Sequence, residues 1–173
     1  MIQEVIRNSI RFIVLLFLQV LVVKNIPFGS YFLPMPYVLF ILMLPFEIPG
    51  VILLLASFSM GLFVDLFYDT QGMHASAASM MAFLRLHYLK IISPREGYDV
   101  LLKPTIHHMG FGWFASYSLV LIFMHHFLFF NLEIFSISKF FSILFRSIGS
   151  ALMTFLFCFV IQFLFYRNKD KKS

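Results

Sequence analysis

Apolar and polar positions alternate along this chain on the scale of whole segments. Long apolar runs are separated by short intervals rich in Pro, Gly, Asn, Asp or Lys, which reads as membrane-crossing helices joined by tight connections. The runs cover residues 10–23, 37–46, 49–67, 73–92, 110–130 and 140–166, so six transmembrane helices are predicted. The second is short and is punctuated by Pro34, Pro36 and Pro45, which predicts a kink or a partial crossing. The longest hydrophilic interval is 93–107, and no internal repeat or linker divides the chain, so residues 1–173 form a single integral membrane domain.

Composition agrees with the pattern. With 61% hydrophobic residues, 12% charged residues and a mean hydropathy of +0.91, the chain is too apolar for a soluble domain. Its 173 residues leave room for about six crossings of roughly 20 residues each and for no sizeable extramembrane domain. The fold class is therefore an all-α polytopic membrane protein. The single cysteine, Cys158, lies in an apolar run; it excludes an internal disulfide framework and reads as an inert core residue. The first run follows basic residues but continues to Lys24 without a small-residue cleavage site, so an uncleaved helix is expected.

The net charge of +5 is a matter of topology. Arg7, Arg11, Arg85, Lys90, Arg95, Lys103, Arg167, Lys169, Lys171 and Lys172 fall on one side of a six-helix arrangement. Only Lys24 and Lys139 fall in the opposite loops, which predicts both termini inside. No soluble basic face is formed, which argues against a nucleic-acid partner.

The most informative stretch is 57–81, SFSMGLFVDLFYDTQGMHASAASMM, which reads as a helical hairpin with a carboxylate at its mouth. Ser57, Gly61 and Asp65 are spaced by four and share a helix face, while Ala75, Ser79 and Ala82 give the next helix a similarly smooth one. A carboxylate near hydrocarbon depth needs a partner or water, so Asp65 is the leading candidate for a functional residue. Asp69, Thr70 and Gly72 look like a turn, which leaves Asp69 a hydrated loop residue. Arg146 stands about six residues into the last helix, roughly 9 Å deep, beside the small residues Gly149 and Ser150. The expected arrangement is an Asp65–Arg146 ion pair fixing the third helix to the sixth across these small-residue faces; the alternative is an Arg146 that snorkels to the outer headgroups with Asp65 hydrated at the turn.

Catalytic chemistry finds little support. His107 with His108, and His125 with His126, are adjacent pairs that diverge by about 100° on a helix and cannot converge on a metal; they read as interfacial histidines. Arg85 reads as a snorkelling side chain, and Tyr31, Tyr37, Tyr68, Tyr88, Tyr98, Trp113 and Tyr166 as interfacial anchors. There is no glycine-rich phosphate loop and no nucleophile motif. No catalytic, cofactor-binding or metal residue is assigned.

Gly61-Leu62 followed by Asp65, then Gly72-Met73-His74-Ala75 after a short turn, inside a small six-helix protein with basic inner loops, resembles the rod shape-determining MreD family of bacterial cell-wall elongation. Ser57 stands where that family commonly has a further glycine. The resemblance implies a non-enzymatic scaffold of the bacterial inner membrane. Its partners would be an MreC-like bitopic protein and, through it, MreB filaments and the wall synthases. It also implies an architecture similar to the substrate-binding subunits of energy-coupling-factor vitamin transporters, which makes a vitamin-type binding subunit the alternative function. Such a subunit would need polar and aromatic groups converging from the outer loops, and those loops are short and mostly apolar.

Overall fold

The computed structural model describes residues 2–27, 31–99 and 102–165, and among these every regular element is helical. In chain order the α-helices are α1 (Ile2–Phe17), α2 (Leu39–Leu42), α3 (Gly50–Tyr68), α4 (Met73–Ile91), α5 (Ile106–Met109), α6 (Phe111–Ile134) and α7 (Phe140–Phe165). Four helical stretches are long and apolar enough to cross a membrane: Ile2–Asn25, Gly50–Tyr68, Phe111–Ile134 and Ile137–Leu164. Helix α4 matches α3 in length at 19 residues but carries His74, Arg85, His87 and Lys90, and falls outside that set.

The first helix begins well before residue 10. Its opening turns are amphipathic and contain Arg7 and Arg11, so the basic residues are part of the helix and do not precede it. After Phe17 the winding loosens to a π-helix over Leu18–Val22 and tightens to a 3-10 turn over Val23–Asn25. The bulge turns Gln19 fully inward, whereas Ile10, Ile13, Val14 and Phe17 remain exposed on the outer face of the bundle.

The predicted second crossing is not a continuous helix. Between Leu33 and Phe46 the chain forms a 3-10 turn, Pro36–Val38, and the single α turn of α2, with irregular backbone on either side. Pro34, Pro36 and Pro45 explain this, because each removes an N–H and restricts the residue before it. The segment is nevertheless the centre of the core. Met35, Tyr37, Val38, Ile41 and Leu42 are completely buried. Tyr37 is thus a core residue and not the interfacial anchor its type suggested.

The remaining elements pack around this segment, with α3–α4 the most extensive helix pair and α6–α7 next. At one end of the bundle lie the start of α1, the 43–49 turn, the end of α4 and, through the Ile106 N–H on Gln162 Oε1 at 2.9 Å, the final turns of α7. At the other end lie Lys24, which donates to the Phe67 carbonyl, the 69–72 turn, and Arg146 with Glu133. The first turn of α1 and the last of α7 therefore share an end, together with Arg7, Arg11, Arg85, Lys90 and Lys103. Tyr166 and the basic residues Arg167, Lys169, Lys171 and Lys172 lie outside the described residues.

Candidate functional site

The hairpin stretch folds into a clamp between α3 and α4. Helix α3 ends in a left-handed residue, Asp69 (φ 54°), and a second positive-φ position, Gly72 (φ 82°), turns the chain into α4. Gly72 occupies the N-cap position of α4 but has no side chain with which to cap it. Asp65 caps α4 instead, from the preceding helix: its carboxylate accepts the backbone N–H of His74 at 3.0 Å and of Ala75 at 2.9 Å. It also accepts the Thr70 hydroxyl at 2.5 Å and His74 Nδ1–H at 3.0 Å. Four donors around one acceptor-only group suit the charged carboxylate, and the positive end of the α4 dipole adds to them. With Nδ1 committed, His74 Nε2 is buried without a hydrogen-bond partner among the described residues, amid the rings of Tyr37, Tyr68 and Phe129.

Gly61 makes this geometry possible. A Cβ at that position would lie 2.5 Å from both the Ala75 Cα and the His74 carbonyl oxygen, which are backbone atoms that no rotamer change can move. One turn further along α3, at the same face, Asp65 reaches the freed amides. Ala75 is buried as expected, and Ala78 and Ala82 continue its smooth face, while Ser79 is only half-buried and donates to the Ala75 carbonyl. Ser57 is fully buried on the α3 face, and its hydroxyl has no hydrogen-bond partner among the described residues. Asp69 is exposed, in keeping with a loop aspartate.

The expected Asp65–Arg146 pair does not form. Arg146 Nη1 meets Glu133 Oε2 at 3.2 Å, its Nε donates to the Tyr31 carbonyl at 3.2 Å, and its guanidinium lies 4.5 Å from the Phe130 ring centroid. The reason is that the small-residue face of α7 is already occupied. The Phe32 ring fills the space beside Gly149, where a Cβ would stand 2.0 Å from it, and Ser150 Oγ accepts the Leu33 N–H at 3.0 Å. Gly149 and Ser150 thus receive the irregular segment and not the Ser57–Gly61 face.

A second polar constellation surrounds that segment, and the sequence reading missed it. Backbone groups that leave helical geometry inside a membrane protein must find partners within the protein. Met35 N–H donates to Thr154 Oγ1 at 2.9 Å. The Thr154 hydroxyl can then donate to His126 Nε2 at 3.1 Å, because His126 Nδ1–H is committed to the Ile122 carbonyl at 2.8 Å. Tyr37 hydroxyl and His125 Nε2 are 2.7 Å apart. On the other flank Arg85 donates to the carbonyls of Leu44 at 2.5 Å and Pro45 at 3.3 Å, and through Nε to the Tyr117 hydroxyl at 2.7 Å. Tyr117 donates its own hydroxyl hydrogen bond to the Leu42 carbonyl at 3.0 Å. Arg11 Nη1 bonds the Met43 carbonyl at 3.0 Å.

These contacts overturn two readings. Arg85 does not snorkel; it is completely buried, because two carbonyl oxygens of the broken segment and the Tyr117 hydroxyl of α6 face it. His125 and His126 are likewise completely buried, serving the core at mid-helix and not the interface. The adjacent His107 and His108 are exposed on the short helix α5, next to the Thr105 cap. Cys158 is fully buried, in keeping with a core residue.

Among the described residues no group of three or more His, Cys, Asp or Glu side chains is placed to hold a metal ion. No protein-family model, curated protein or solved structure matches the chain.

Proposed function

We propose that the chain is a non-enzymatic scaffold of the bacterial inner membrane, of the MreD kind. In this reading it crosses the bilayer six times with both termini cytoplasmic, and holds an MreC-like bitopic protein, and through it MreB filaments and wall synthases, in register. The observation that carries the proposal is the clamp of Gly61, Asp65, Gly72 and Ala75. The residues on which the family resemblance rests are those that lock α3 to α4, so the motif has a physical reason to exist in a part that must stay rigid while others dock on it. The buried polar groups of the core support the same view, because they are spent on the protein's own backbone. The cavity of about 630 Å³ at the α6–α7 turn, between Asn131 and Ile143, is lined mainly by Leu132, Phe135, Ile137 and Phe140, a poor setting for recognising a polar vitamin.

Depletion in a rod-shaped host tests the proposal. Rods are expected to become round while uptake of vitamins is unchanged, and an MreC-like protein is expected to co-purify with the chain from mild detergent. Retained rod shape with loss of uptake of one vitamin would transfer the case to the transporter subunit. Reporter fusions within 94–99 and at Gln71 check the orientation: the first is expected to read as cytoplasmic, the second as external.

A further inference from the structure

A cavity of about 920 Å³ opens between the first turns of α1, the 43–49 turn, the start of α3, and Asp99 with Leu102, Lys103 and Thr105. It lies at the end of the bundle that holds the start of α1 and the close of α7, and its chemistry is ordered by depth. The charged residues of its lining are Glu4, Arg7, Arg11, Glu47, Asp99 and Lys103. One to two turns further into α1 and α3 the walls become Phe12, Ile52 and Ala56, with Phe40 behind them. Both flanking helices are among those long and apolar enough to cross a membrane, so the sequence from charged mouth to apolar floor runs from headgroup level into the hydrocarbon. That is the polarity order of a phospholipid, and the volume lies in the range of small-molecule sites of about 300–1,000 Å³.

The charges at the mouth narrow the choice. Arg7 is paired with Glu4 at 2.6 Å, and Arg11 is held by Asn8 Oδ1 at 2.8 Å and the Met43 carbonyl. Lys103 and Glu47 stand on two different segments, and neither makes an ion pair among the described residues. An anionic headgroup would satisfy the lysine and be repelled by the carboxylate. A headgroup carrying both a phosphate and a primary amine answers both, with the phosphate toward Lys103 and the Arg7 edge and the ammonium donating to Glu47. A quaternary ammonium could not donate that hydrogen bond.

We propose that this groove binds one ethanolamine phospholipid of the adjacent leaflet, its acyl chains along Phe12, Ile52 and Ala56. The site is independent of the scaffold reading. The test is native mass spectrometry of the full-length protein, delipidated in detergent and offered mixed micelles of phosphatidylethanolamine, phosphatidylglycerol or phosphatidylcholine. Wild type is expected to retain one phosphatidylethanolamine at least threefold in preference to either of the others. Glu47→Gln is expected to erase the preference over phosphatidylcholine, Lys103→Gln to weaken retention of all three, and Ala56→Trp to block retention. Equal retention of all three lipids by wild type, or a preference for phosphatidylglycerol, would overturn the proposal. So would a Glu47→Gln protein that elutes as wild type and keeps the ethanolamine preference. The wild-type comparison decides the matter even if a variant fails to fold.

Discussion

The α3–α4 hairpin and the broken segment from Leu33 to Phe46 solve the same problem by opposite means. Each contains backbone that departs from helical hydrogen bonding inside a bundle of apolar helices. In the hairpin the departure is four residues long, and a single carboxylate one turn away satisfies the exposed amides of the next helix. In the broken segment the departure runs through the centre of the bundle. Its amides and carbonyls are met by side chains from α1, α4, α6 and α7, including Arg11, Arg85, Tyr117, Ser150 and Thr154. The hairpin is a local device that needs few residues to form. The segment is a global one, and it ties four helices to one strand of irregular chain.

The contrast predicts where the protein breaks. The largest effect is expected for Arg85→Met, which removes the donor from the buried Leu44 carbonyl, the half-buried Pro45 carbonyl and the buried Tyr117 hydroxyl; about 3 to 5 kcal/mol of stability should be lost. Arg85→Lys keeps the charge but not the fork, and should fall between that variant and wild type in thermal unfolding of the purified protein. If both variants unfold as wild type does, the segment is held by apolar packing alone and the contrast fails.

Next in size is Asp65→Asn. The amide can accept only through its oxygen and presents its own N–H₂ to a ring of donors, so a loss of about 2 to 3 kcal/mol is expected, seen as a lower unfolding temperature. Arg146→Gln should cost much less, because its partners Glu133 and the Tyr31 carbonyl are at an exposed end. Equal losses in the two would erase the distinction between the buried clamp and the exposed end.

The two packing glycines sharpen the comparison. Gly61→Ala forces a methyl onto the α4 backbone, and about 1 to 3 kcal/mol should be lost as the helices separate. Gly149→Ala meets only the edge of the Phe32 ring, which can turn aside, so the loss should be smaller in the same unfolding assay. The smallest effects set the floor. Thr154→Val removes the acceptor of the Met35 amide and should cost about 1 to 2 kcal/mol, whereas Ser57→Ala removes a hydroxyl with no partner and should stay within about 0.5 kcal/mol of wild type.

The hairpin was legible in the sequence because its parts lie within fifteen residues of one another. A spacing of four puts Gly61 and Asp65 on one face, and a turn signature at 69–72 brings Ala75 back beside them. Chain connectivity leaves few alternatives over so short a distance. Hydropathy likewise fixed the helical class and the boundaries of α3, α4 and α7 to within a residue or two. The prolines warned that the second run was irregular, but not that it would become the core.

Tertiary structure alone decided the polar partnerships. Arg85, Arg146, His125 and His126 look alike in sequence, as isolated polar residues in or near apolar runs, and each reads as belonging to the nearest interface or to the nearest opposite charge. Their actual partners are backbone carbonyls, a threonine, tyrosines and a surface glutamate, 4 to 115 residues away along the chain. The physical reason is that hydrophobicity acts on any apolar surface and can be read from composition, whereas a hydrogen bond requires a particular donor within about 3 Å of a particular acceptor. Which carbonyls are left open depends on where the helix at 36–42 gives out, and which side chain can reach them depends on how four other helices pack around that break.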